Sequence, residues 1–147
     1  MNKTLLIIIT LGIGMILPIQ AAVNGKLMRT FGHPVIGATI SFVTGTMLLL
    51  AYTISLHKRI SLNAIRDTNW YDWTGGIIGV IYVTGIIMII PRLGAGFAFA
   101  LIVGGQLPMS LIMDHYGILG LPVNEISWSK ILGVMLLIFG VWLIRVR

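Results

Sequence analysis

Cysteine is absent from this 147-residue sequence, acidic residues number only four, and charged residues of both signs make up 10% of the chain. The lack of cysteine excludes disulfides, thiolate metal ligands and thiol chemistry. The lack of charge is more informative, because a chain that is 57% hydrophobic has too little polar surface to fold as a water-soluble domain. Among the side chains present, no nucleophile and base are placed together and no cluster has metal-ligand spacing, so neither an enzyme nor a cofactor is expected. The net charge of +6 does not point to nucleic acid, since the basic residues stand at the ends of apolar runs rather than in a patch interleaved with aromatics.

Five apolar runs fill most of the sequence. At ~1.5 Å per helical residue about 20 residues cross roughly 30 Å of hydrocarbon, and five spans of about that length would take up most of the chain. The expected fold is all-α and integral to the membrane: one membrane domain over residues 1–147, with spans at about 4–24, 35–56, 70–90, 93–114 and 128–144. Lys3 and the greasy run at 5–17 have the look of a secretory signal, but Ile19 and Gln20 make a poor cleavage site, and this run is expected to stay as the first span. Gly32-His33-Pro34 reads as a turn that starts the second span, and Pro91-Arg92 as a tight connection into the fourth. The longest polar connection holds His57, Lys58, Arg59, Arg66 and Asp67. Trp70, Tyr71, Trp73 and Trp128 fit an aromatic belt at the lipid headgroups, and His115 falls in the loop after the fourth span.

The fourth span carries the most chemistry. Gln106, Ser110 and Asp114 recur every four residues and so share a helical face. Pro108 cannot donate to the carbonyl of Gly104, which leaves an acceptor free beside Gln106. In the first span Gln20 and Asn24 lie one turn apart beyond a second kink candidate, Pro18. Gln20, Asn24, Gln106 and Ser110 are candidates for contacting a small-molecule substrate, or else for bonding neighbouring helices. Tyr82 follows Gly75 and Gly79 on one face and could line a cavity or fill a packing seam. Asp114 is the candidate for coupling, against the plainer reading of a solvated residue at the membrane surface. Gly37, Ser41 and Gly45 form a small-residue seam for close helix approach, and Gly133 with Gly140 a second face for packing.

Orientation in a membrane follows the excess of Lys and Arg on the cytoplasmic side. Here Lys3, Lys58, Arg59, Arg66 and Lys130 fall on one side, and Lys26, Arg29, Arg92, Arg145 and Arg147 on the other, five against five. Copies inserted both ways could pair antiparallel and generate the inverted symmetry that transporters often carry within one chain. Alternatively, one boundary charge such as Lys130 or Arg92 tips every copy the same way.

The stretches Pro-Ile-Gln-Ala-Ala-Val-Asn-Gly at 18–25, Pro-Arg-Leu-Gly-Ala at 91–95, Gly-Gln-Leu at 105–107 and Asp-His-Tyr-Gly at 114–117 resemble the small five-span branch of the drug/metabolite transporter superfamily, the YdcZ-type inner-membrane proteins. The resemblance spans essentially the whole chain. It implies a bacterial inner-membrane, multi-pass exporter forming half of a ten-helix inverted-repeat bundle, completed by a second copy or by a paralogue of opposite topology. The related small multidrug resistance proteins carry a mid-membrane glutamate that exchanges protons for cationic drugs. Asp67, Asp72, Asp114 and Glu125 are the acidic residues here, and none is mid-membrane. Gln20 is the nearest polar group on the first helix, and an amide cannot exchange a proton. The expected function is export of a small metabolite or amphipathic compound by alternating access, as an antiparallel homodimer. The alternatives are a flippase for a lipid-linked headgroup and a non-transporting membrane subunit.

Overall fold

A computed structural model describes residues 2–56, 66 and 68–145. The polar connection expected around His57, Lys58, Arg59 and Asp67 lies outside the described residues, as does Arg147. Five helices are long and apolar enough to cross a membrane, and among the described residues there is no strand. By backbone contact the chain divides into two units, Met1–Ile89 and Ile90–Arg147.

In the first unit, α1 spans Lys3–Phe31 and α2 spans Pro34–Ser55. Helix α1 runs unbroken through Pro18 and well past the expected end near Asn24. Nothing stops it until Gly32, whose φ of 77° closes the helix with its N–H donating to the Met28 carbonyl at 2.8 Å. His33 then caps α2, its Nδ1 accepting from the Val35 N–H at 3.3 Å, and Pro34 begins the helix where its missing donor costs nothing. A 3-10 turn at Trp70–Thr74 leads into α3, Gly75–Leu93. The Asn69 N–H donates to the Asp72 carboxylate at 2.8 Å and the Trp73 indole to the Thr68 hydroxyl at 3.0 Å, fixing the largely exposed Trp70 and Trp73 at the start of the span. Pro91 and Arg92 prove to be helical, not a connection. The link to the next helix is Gly94 alone, whose φ of 76° and ψ of 154° favour glycine.

The close packing of this unit is between α1 and α2. Ala21, Asn24 and Gly25 are buried on one face of α1, and Gly37 and Ala38 on α2. A Cβ on Gly37 would stand 3.1 Å from both the Asn24 carbonyl oxygen and the Met28 nitrogen. The expected small-residue seam therefore closes at Gly37 only. At Gly45 a Cβ would meet nothing within 4 Å, and Ser41 and Gly45 border open space instead. On α3, Gly79 is occupied by the Phe42 ring at 3.4 Å, while Gly75 is free.

In the second unit, α4 spans Ala95–Tyr116 and α5 spans Trp128–Arg145. They pack together, with Gly104 placing its Cβ position 3.6 Å from a Val141 methyl; Gly133 and Gly140, expected to be a packing face, meet nothing within 4 Å. Helix α4 ends at Gly117, which has a left-handed φ of 60°, so His115 belongs to its last turn and not to the loop. The His115 Nδ1 accepts from the Ile126 N–H at 3.3 Å, and the Asp114 carbonyl from the Asn124 N–H at 2.9 Å, drawing the returning connection back onto the helix end. Lys130 holds the same connection from α5. Its ammonium donates to the Asn124 Oδ1 at 2.7 Å and to the Glu125 carbonyl at 2.6 Å. Lys130→Met keeps the apolar stem and removes these donors, so the connection is expected to be cut several-fold faster by protease in limited proteolysis, with little change in helix content.

Arg29, Arg92 and Arg145 lie in the last turns of α1, α3 and α5, where a permanent cation faces the negative end of the helix dipole.

Candidate functional site

Polar side chains are scarce in the spans, so where they collect is informative. On α1, Gln20 and Asn24 are one turn apart, and on α3 Tyr82 meets them. Together with Leu17, Ala21, Val83 and Ile86 these three line a narrow cavity of about 10 Å³. Asn24 is the one polar residue among those described that is buried as a whole, 3% exposed. Its main-chain carbonyl oxygen lies 3.1 Å from where a Cβ on Gly37 would stand, so the backbone that carries the amide sits in the close α1–α2 contact. The Tyr82 hydroxyl is buried and has no hydrogen-bond partner in the protein. A buried hydroxyl left unpaired costs ~1–3 kcal/mol, which makes such a group a candidate for meeting a ligand or water.

Two larger spaces lie in the same unit, the first sharing Gln20 with this cavity. One, of about 250 Å³, is lined by Gln20 with Ser41, Phe42, Gly45, Thr46 and Leu49. The other, of about 370 Å³, lies between α2 and α3 and includes Phe42 and Thr46 again, with Thr39, Met47, Val80 and Thr84. Phe42 stands between the two spaces, and it can do so because Gly79 leaves room for its ring. The three spaces share lining residues in series, from Asn24 and Tyr82 through Gln20 to Phe42 and Thr46 and on to Thr84.

Of the residues singled out in the sequence, Gln20, Asn24 and Tyr82 thus come together. Gln106 and Ser110 are exposed on α4 and Asp114 is half-buried near its end, with Pro108 inside an unbroken helix. Sequence reasoning passed over Thr39, Phe42, Thr46 and Thr84. A signal for the first three was present: positions 39, 42 and 46 recur at three- and four-residue spacing along one face of α2. Thr84 gave none, since its role depends on what stands opposite.

Five long apolar helices with a cluster of amide and hydroxyl groups between α1 and α3 define a multi-pass α-helical membrane protein. The chain belongs to the family described as "Putative inner membrane exporter, YdcZ", which matches residues 5–143. Comparisons with curated proteins and with solved structures return no match. The family description places the chain in the inner membrane and among exporters rather than enzymes.

Proposed function

We propose that the chain exports a small metabolite or amphipathic compound by alternating access, as one half of an antiparallel homodimer. The convergence of Gln20, Asn24 and Tyr82 on one cavity, with the tyrosine hydroxyl unpaired, carries the reading. Hydrogen-bonding groups without charge suit a substrate that must be released again. Gln20 on α1 and Gln106 and Ser110 on α4 are exposed at membrane depth, and amides facing lipid are unfavourable. A second copy that places these residues along a shared aqueous path removes that cost, and the equal Lys and Arg count allows the opposite orientation it requires. In this reading Gln20, Asn24, Tyr82, Gln106 and Ser110 contact substrate, and the carbonyls freed by Pro18 and Pro108 add backbone acceptors. Asp114, half-buried at the end of α4, is the weaker candidate for coupling.

Comparing the small molecules that accumulate in the medium of cells expressing the protein with those of vector controls tests this whatever the cargo is. Asn24→Leu is expected to erase the difference between the two while the protein remains at its normal level in the membrane. An unchanged profile for Asn24→Leu would remove Asn24 from the site. No difference between wild type and vector would overturn the exporter reading.

A further inference from the structure

The space between α2 and α3 calls for a separate explanation. Helix α3 stands off from α2 and is bridged to it by Phe42 over Gly79, leaving the groove of about 370 Å³ beside the ring. Its walls are apolar apart from the hydroxyls of Thr39, Thr46 and Thr84. Threonine in a helix ordinarily returns its hydroxyl to the carbonyl one turn back. Thr10, Thr30, Thr39, Thr44 and Thr53 all do so here, at 2.8 to 3.1 Å. Thr84 does not: its hydroxyl is buried with no partner in the protein. Two residues earlier on the same helix, Tyr82 also has a buried hydroxyl without a partner, so α3 offers one such hydroxyl toward the narrow cavity and one toward the groove.

Among the described residues, no Asp, Glu, Lys, Arg or His lines any of the three spaces. A charged ligand would have to leave water without a counter-charge, at a cost of several kcal/mol. An uncharged one with a hydrogen-bonding group would find the Thr84 hydroxyl and, past Phe42 and Thr46, the Gln20 amide. We infer that the α2–α3 groove binds the apolar body of an uncharged amphiphile, with Phe42 limiting the size of that body and the Thr84 hydroxyl bonding its polar group. The inference rests on the exporter reading and names the class of compound carried. It differs from carriage of lipophilic cations, for which none of the described lining residues supplies a carboxylate.

Protection of a single cysteine tests it, since the chain has no cysteine of its own. Full-length protein carrying Thr46→Cys, reconstituted in lipid nanodiscs, is modified with N-ethylmaleimide in the presence of N-hexylacetamide, hexanoate or hexyltrimethylammonium. Leu48→Cys, on the outward side of the same helix at 72% exposure, controls for partition into lipid. N-hexylacetamide is expected to slow modification at position 46 by about tenfold at saturation, with the charged compounds and the position 48 control changing by less than about twofold. Adding Thr84→Val, which keeps the shape and removes the hydroxyl, should abolish most of the protection. If Thr46→Cys does not fold, Val43→Cys reports on the same groove.

Equal protection by all three compounds, equal slowing at position 48, or no protection would overturn the inference. So would a disulfide between two copies through position 46, which would give the groove to a second copy of the chain. Export that depends on Asn24 without protection at position 46 would remove the groove and leave the exporter reading. Protection without export would keep the binding site and remove the exporter reading.

Discussion

Gly37→Val is expected to leave little stably folded protein. The Cβ position at residue 37 lies 3.1 Å from the Asn24 carbonyl oxygen and 3.1 Å from the Met28 nitrogen, and both are backbone atoms. Neither can swing away as a side-chain tip could. Relief must come from moving α2 off α1, which opens the contact that buries Ala21, Asn24, Gly25 and Ala38. Overpacking of this kind costs about 1–3 kcal/mol even for one added methyl, and a branched side chain costs more. The usual gain of about 0.5–1 kcal/mol from removing a helical glycine is too small to compensate. Gly45→Val supplies the control, because its Cβ would meet nothing within 4 Å. The thermal midpoint in detergent should fall by many degrees for Gly37→Val and hardly move for Gly45→Val. Similar midpoints for the two variants would mean that α1 and α2 do not approach each other as described.

Cysteine labelling should divide the protein population into two. Glu125→Cys puts one thiol in the exposed connection between α4 and α5 of an otherwise cysteine-free chain. Acidic residues weigh little in setting orientation, so the substitution leaves the Lys and Arg balance intact. With five basic residues on each side, insertion has no net bias, and an impermeant thiol reagent is expected to label about half of the protein in intact cells, the rest reacting only after permeabilisation. Two added lysines in that connection should then drive the population to one orientation and, if the functional unit is an antiparallel homodimer, abolish export by that variant expressed alone. Labelling from one side only in the unaltered background would end the homodimer proposal and leave a paralogue of opposite topology to complete the unit.

Much of the local structure is legible in the sequence because its causes are local. Apolar runs long enough to cross hydrocarbon leave the backbone no alternative to helix, so five spans follow from composition and length. Pro34 at a helix start and Trp70 and Trp73 at a span edge act through their own backbone or ring chemistry, and they lie where the residue types implied. The ends of spans were harder to read. Apolarity does not mark where a helix stops, whereas Gly32 and Gly117 do, by taking a left-handed conformation beyond Phe31 and Tyr116.

By itself the sequence determined an all-α protein built to lie in a membrane, with too few charges for a water-soluble fold. It also placed Gln20 and Asn24 on one helical face. Only the tertiary structure decided that Tyr82 joins them, that the small-residue seam closes at Gly37 and opens at Gly45, and that Thr84 keeps its hydroxyl free beside Phe42. The reason is geometric. Helical periodicity fixes which residues share a face of one helix, but whether that face meets a backbone, a ring or an open groove depends on how far apart two helices stand at each turn. Single phenyl rings and missing methyl groups set that distance, and no pattern within one span encodes it.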